Sequence, residues 1–224
     1  MKAIKILFLS ACLLCGPAIA RAQFIDEAKN ALTKGDRSTW SGLRFSYDRS
    51  ILKSTAEESE LKQGFNGFTL AYVQSWSIAK RLPLFVEAGG GLSFSRHSFD
   101  SSADGVTLKT SHNLLGLYVP ANVVYKIAIN DKIALKPYTG IYLRLGLLGK
   151  EKYEAGVEGN TSSDSYNVYG EDGCDWKRFQ LGWQIGVTAD YQRYNFGIGY
   201  GIDFNKLAPE ARFGTFSLRA GLNF

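Results

Sequence analysis

The stretch FQLGWQIGVTADY, Phe179 to Tyr191, puts Phe179, Leu181, Trp183, Ile185, Val187, Ala189 and Tyr191 on odd positions and Gln180, Gly182, Gln184, Gly186, Thr188 and Asp190 on even ones. A two-residue period means a strand, because successive side chains leave a pleated backbone on opposite sides. A helical period would put Trp183 and Gly186 on one face and scatter the apolar set around the axis. What remains to decide is whether the apolar face lines a core or meets lipid.

The same alternation recurs along the chain. It runs over Leu43–Tyr47, Phe68–Ile78, Leu84–Phe94, Leu115–Tyr125, Ile133–Leu145, Phe196–Phe204 and Phe216–Phe224, which with the opening stretch makes eight strands. Long connections are expected at about 49–64, 96–112, 149–177 and 205–212, and short ones at about 79–83, 128–132 and 192–193. Long and short ends therefore lie on opposite sides of one antiparallel sheet, as in outer-membrane barrels with short periplasmic turns and longer outer loops.

Composition of the two faces points the same way. A soluble eight-stranded barrel of the lipocalin kind would carry its apolar residues inside and many Lys and Glu outside. Here the polar face is mostly Gly, Ser, Thr, Asn and Gln with single charges, which suits a narrow interior, while the apolar face is large and aromatic. Trp76, Tyr125, Tyr191, Tyr194 and Phe224 fall near the short-turn end and Tyr47, Phe68, Phe94, Phe179 and Phe204 near the loop end, the expected places of two interfacial girdles. In hydrocarbon an unpaired strand edge costs several kcal/mol per orphaned group, so the first and last strands are expected to pair. Pro120 and Pro137 each delete a ladder donor inside a strand, which predicts a bulge or irregular register near one of them.

The first residues read as a secretory signal. Lys2 and Lys5 precede an apolar run from Ile6 to Cys15, Gly16-Pro17 breaks it, and Ala20-Arg21-Ala22 offers a cleavage site before Gln23. Leu9-Ser10-Ala11-Cys12 also resembles a lipobox, although the apolar run continues past Cys12. Removing residues 1–22 takes Lys2, Lys5 and Arg21 and no acid, so the formal charge of +5 falls to +2 and a nucleic-acid role loses its support. Cys12 and Cys15 leave too, so Cys174 has no partner for an intrachain disulfide. Residues 23–38 read as a periplasmic N-terminal segment in which Phe24, Ile25, Ala28 and Leu32 have near-helical spacing, with Asp26 as an N-cap and Gly35 as a stop; it is either a short helix against the barrel's lower rim or a frayed stretch.

The stretches YVPANVVYKI (118–127) and PYTGIYLRLG (137–146) resemble the PorT-like, outer membrane protein beta-barrel domain family, in which an I/V-P strand ending Y-K is followed after a tight turn by a P-Y-x-G strand. The terminal FSLRAGLNF looks like the outer-membrane assembly signal that ends in a carboxy-terminal Phe, here Phe224. The resemblance covers roughly residues 39–224 and implies a barrel inserted by the assembly machinery. It brings no catalytic residues, and the loops are not part of it.

Chemistry-bearing residues are few. Arg44, Glu87, Lys126, Lys136, Arg144, Asp190, Asp203 and Arg219 fall on the inward parity, where they either line a polar conduit or neutralise one another in a closed lumen. The second is favoured, because an eight-stranded barrel is just wide enough for its own side chains. Three acids against five bases predicts that one base needs water or a backbone acceptor. His97 and His112 fall at the rim of the second long loop, near Ser95, Ser98, Asp100 and Ser111, and read either as a catalytic group editing lipid or as solvated loop histidines; the second is expected. Glu151, Glu154, Glu158, Asp164, Glu171, Asp172 and Asp175 make the third loop acidic without an EF-hand spacing, so it is expected to be solvated, with Tyr153, Tyr166, Tyr169 and Trp176 suited to protein or glycan contact.

The expectation is therefore an eight-stranded up-and-down transmembrane β-barrel in the outer membrane of a Gram-negative cell. No cofactor, metal or catalytic residue is assigned. Its role would be structural, binding or envelope-maintaining, exerted through its outer loops on a protein or glycan, with outer-membrane lipid around it and no nucleic acid. The rivals are a lipid-modifying hydrolase or acyltransferase using His97 or His112, a component of a protein-secretion complex, and a soluble lipocalin-like barrel.

Overall fold

The computed structural model describes residues 39–54, 62–79, 82–103, 106–157, 160–170, 176–207 and 211–224. The signal segment, the N-terminal segment 23–38 read as either a short helix or a frayed stretch, and Cys174 lie outside the described residues. The strands are β1 (Ser41–Ser54), β2 (Lys62–Ser77), β3 (Leu84–Ala103), β4 (Val106–Tyr125), β5 (Ile127–Ala128), β6 (Ile133–Val157), β7 (Asn160–Asn167), β8 (Phe179–Tyr191), β9 (Tyr194–Asp203) and β10 (Ala211–Asn223). All pairings are antiparallel.

Eight of these strands close a ring. β1 pairs with both β2 and β10, and the circuit runs on through β9, β8, β6, β4 and β3 back to β2. β5 carries the β4 line two residues further along β6 after a break at Lys126, and β7 pairs only with β6. The break arises because the Lys126 amide donates to the Pro83 carbonyl instead of to the sheet.

The expected irregularity lies around Pro120. The β3–β4 ladder has no pairs between Ala88↔Ala121 and Gly91↔Tyr118, opposite the proline, and the β4–β6 register shifts between Leu115 and Gly116. Pro137 sits in an unbroken register with Val187.

Alternation sorts the side chains as the sequence requires. Trp183, Ile198 and Leu218 are 38%, 49% and 48% exposed and point away from the axis, while Gln184, Asp190, Asn195 and Ser217 are buried within. Both girdles also face outward, with Trp76, Tyr125, Tyr191, Tyr194 and Phe224 at one end and Phe68, Phe94, Phe179 and Phe204 at the other. From Phe68 to Trp76 the backbone covers about 27 Å at ~3.4 Å per residue, which a tilt of ~40° reduces to about 21 Å, near the height of an outer-membrane apolar band. An exterior of this kind is stable only in hydrocarbon.

The outer connections differ from the expected loops. The second and third are mostly strand: β3 and β4 extend to Ala103 and from Val106, and β6 and β7 continue to Asn167. Above the apolar band β3, β4, β6 and β7 therefore form a four-stranded projecting sheet. Backbone hydrogen bonds hold it, and because both faces meet water it needs no apolar alternation to be a strand.

Candidate functional site

Two regions hold the chemistry: the lumen and its outer mouth. In the lumen, Lys136 of β6 contacts the Asp190 carboxylate of β8 and lies 3.6 Å from the ring centre of Trp40, and Asn195 donates to the second Asp190 oxygen at 2.7 Å. Arg44 of β1 stands 3.6 Å from Glu87 of β3, which also accepts from Trp40 Nε1 at 2.7 Å. Tyr142 donates to Asp203 at 2.5 Å and carries the Arg144 guanidinium 4.8 Å above its ring. Arg219 donates to Gln184 at 2.9 Å and stacks over Tyr138 at 4.8 Å, while Gln184 also accepts from Tyr118 and donates to Asn122, both at 2.8 Å.

Lys126 is not among the residues that line this cavity. Asp48, absent from the expected set, is: Thr69 donates to it at 2.6 Å and Ser46 at 3.2 Å. With Asp48 included, Arg44, Lys136, Arg144 and Arg219 match Asp48, Glu87, Asp190 and Asp203 in number, and Arg44 also donates to the Leu43 and Leu222 backbone carbonyls, the kind of acceptor expected for a base in excess. Its signal was present, since Asp48 continues the inward series Arg44, Ser46 by one more step.

Both ends of this polar section are stoppered. Towards the short turns, Trp40, Phe85, Val124 and Tyr138 form a buried cluster. Towards the loops, Leu52, Phe65, Val168, Trp176, Leu207 and Phe213 form a second, with Leu114 and Tyr169 against it. Free space between them amounts to about 40 Å³ and 70 Å³, room for a few waters and no more. Sequence reading missed these stoppers, although Phe65 and Phe85 are large apolar residues on the inward parity, which was a usable signal.

The two histidines meet in the outer stopper. His97 and His112 are cross-strand partners with ring centres 5.9 Å apart. His112 is buried at 5% exposure, stacks on Trp176 at 5.5 Å and 7°, and places Nε2 3.0 Å from Glu151. Tyr153 donates to the same Glu151 oxygen. His97 Nδ1 lies 2.8 Å from the Gly64 carbonyl oxygen. The expectation of solvated loop histidines and a solvated Glu151 is thus corrected: the aromatic stopper covers His112 and leaves Glu151 3% exposed. Burial pushes the His112 imidazole below its ordinary value, against the pull of Glu151.

Of the serines near the histidines, Ser95 shares the inward parity of His97 on β3. Ser98 and Ser111 are register partners one residue from the histidines, so their side chains project from the opposite face, and Ser98 bonds Asp100 there at 3.4 Å. Among the described residues no three His, Cys, Asp or Glu side chains converge on a metal-sized site. Of the acidic third loop, Glu154 pairs with the exposed Lys152, which pulls its carboxyl below the usual range. Trp176, expected at the surface, is buried in the stopper. Glu158, Glu171, Asp172 and Asp175 lie outside the described residues.

A closed antiparallel ring, apolar outside, polar and filled within, and girdled at both rims, is an integral outer-membrane β-barrel. Solved structures of such barrels are similar to it: the attachment invasion locus protein Ail of Yersinia pestis is 18% identical, with 84% of this chain and 99% of that chain covered and a TM-score of 0.43. Neisserial surface protein A is 16% identical, with 82% and 97% covered and a TM-score of 0.39. A major outer membrane protein of Thermus thermophilus is 15% identical, with 81% and 99% covered and a TM-score of 0.35. No protein-family model and no curated sequence matches the chain.

Proposed function

We propose that this protein is a non-conducting, non-enzymatic outer-membrane barrel, akin to the PorT-like barrels, that works as a binding or envelope-maintaining protein through its projecting sheet. The observation that carries the reading is the contrast between the two ends of β3, β4 and β6. Inside, the charged groups are held by neighbouring carboxylates, amides and rings; outside, the face that continues the lumen side of the sheet presents Phe99, Leu108, Tyr153 and Tyr166, each at least 39% exposed, to water. Tyr153 and Tyr166 already pack ring to ring at 6.2 Å. Aromatic side chains held rigidly on a sheet bind protein or glycan at low entropic cost.

Shortening both hairpins, by joining residue 98 to 111 and 151 to 166 through two-residue turns, tests it. The shortened barrel should still migrate differently boiled and unboiled while losing whatever envelope component crosslinks to the full-length protein. An unchanged crosslinking pattern would refute the sheet as the working surface. A partner that is a subunit of a secretion machine would assign the protein to that complex.

A second reading draws on the 3.0 Å contact between His112 and Glu151, which resembles an oriented general base. The Trp176 stack opposes it by covering the ring. His97→Ala and His112→Ala are expected to leave the lipid A mass spectrum of the host membrane unchanged, and a changed spectrum at normal barrel abundance would make the protein a lipid-modifying enzyme.

A further inference from the structure

Outward-facing register partners form tiers around the barrel. The last apolar tier before the projecting sheet is Tyr47, Phe68, Phe94, Leu115 and Leu148. Two residues further out lies Arg49, Asn66, Arg96, Asn113, Lys150 and Asn167, again partner to partner across six strands. This tier holds three cations, three amides and no acid, and all but the half-buried Asn113 are exposed. None of the ion pairs among the described residues engages Arg49, Arg96 or Lys150. Among the described residues the first acids on this face, Asp100 and Glu154, stand two tiers higher, where Lys152 takes Glu154.

The cations occupy alternate strands, so neighbours are about 10 Å apart at ~4.8 Å per strand. An asparagine sits between each pair. Asn66 accepts from Tyr47 at 2.8 Å and from Arg49 at 2.7 Å, which ties the guanidinium to the apolar rim and leaves the Asn66 amide nitrogen as donor. A row of amides and cations that no acid pairs among the described residues, set immediately above an aromatic band, lies at the depth of lipid headgroups.

We propose that Arg49, Arg96 and Lys150, with Asn66 and Asn113, bind the phosphates of a phosphorylated glycolipid of the lipid A type in the outer leaflet. Charge complementarity favours such a lipid over a zwitterionic one, and phosphates at both ends of a disaccharide suit cations spaced along a row. The proposal rests on membrane insertion and is independent of what the aromatic face of the projecting sheet binds.

The test uses the full-length barrel in nanodiscs of phosphatidylcholine doped with bisphosphorylated lipid A, dephosphorylated lipid A or neither, with lipid retained per barrel as the readout. The wild type should retain the phosphorylated form selectively, and R49Q/R96Q/K150Q should bind it on the order of a hundredfold more weakly, at about fivefold per cation. K177Q, an exposed lysine off the tier, should bind as the wild type. Equal retention of both lipid A forms by the wild type, or an unweakened triple variant, would overturn the proposal, and so would full displacement by millimolar inorganic phosphate, which would make this a site for a free anion. If the triple variant fails to show heat-modifiable migration, the wild type decides: retention must fall with rising salt, and a flat response refutes it.

Discussion

At the residue scale, Lys136 and Asp190 show what a filled lumen demands. Both are buried, and Trp40, Asn195 and Glu87 complete their shell. Asp190→Asn would leave the Lys136 charge without its counterion in a space with little room for water, at a cost of about 3–5 kcal/mol. Lys136→Met together with Asp190→Asn should recover most of it, and urea midpoints of the detergent-folded protein measure both. His112 makes a pH prediction. Its folded value lies below the ordinary one, so the stopper is favoured by the neutral ring and loses stability as pH falls below about 6.5, where an unfolded histidine gains its proton first. The difference in tryptophan emission between wild type and Trp176→Phe should fade on acidification, and His112→Gln should flatten that dependence; emission insensitive to pH in the wild type would contradict the assignment. Individual lumen residues were legible wherever alternation was tracked, as with Arg44 and Asp203. Phe65 and Phe85 carried a signal as apolar residues on the inward parity, one that gains its meaning only once the barrel's two ends are known to need closing, and Trp40, one residue before β1, had no parity to read.

At the element scale, strand assignment followed from chemistry that differs on the two faces of one backbone. The pattern fades above the rims because both faces there meet water, which is why β3, β4 and β6 run far past the expected strand ends while their lower halves match. Glycines inside the wall mark where neighbouring rings fit. A Cβ on Gly186 would lie 2.3 Å from the Tyr138 hydroxyl and one on Gly182 2.3 Å from the Tyr142 ring, so each tyrosine lies over a bare patch of β8. The even positions of the opening stretch thus carry glycine because β6 sends its aromatics inward across them. Gly186→Ala should overpack the wall by about 1–3 kcal/mol, read as a lower temperature of conversion to the unfolded form on gels. Tyr138→Phe should relieve part of the loss, since the hydroxyl is the nearest clash while the Ile198 carbonyl at 2.4 Å remains, and a Gly186→Ala barrel of wild-type stability would show that both the ring and the β9 backbone have room to move.

At the scale of the whole molecule, the barrel is a wall around a polar core of two ion pairs and two guanidinium–tyrosine stacks, with an apolar cap at each end. Conduction would need a continuous wet path, and three barriers oppose it in series. The Trp40 and Phe85 cluster closes the short-turn end, the Phe65 and Trp176 cluster closes the loop end, and the guanidinium–tyrosine stacks fill the middle. Barriers in series are not opened by removing one. In planar bilayers the wild type should therefore give no steady current, and neither Phe65→Ala nor Phe85→Ala alone should change that, although each costs about 3–5 kcal/mol in stability. Only when both caps are cut and Arg144 and Arg219 are replaced by alanine should discrete openings appear. Those openings should favour cations, because Asp48, Glu87, Asp190 and Asp203 would then outnumber the two bases left in the lumen. Steady wild-type conductance would mean that the stacks part in the membrane, and it would favour the interior over the projecting sheet proposed above as the working part of the protein.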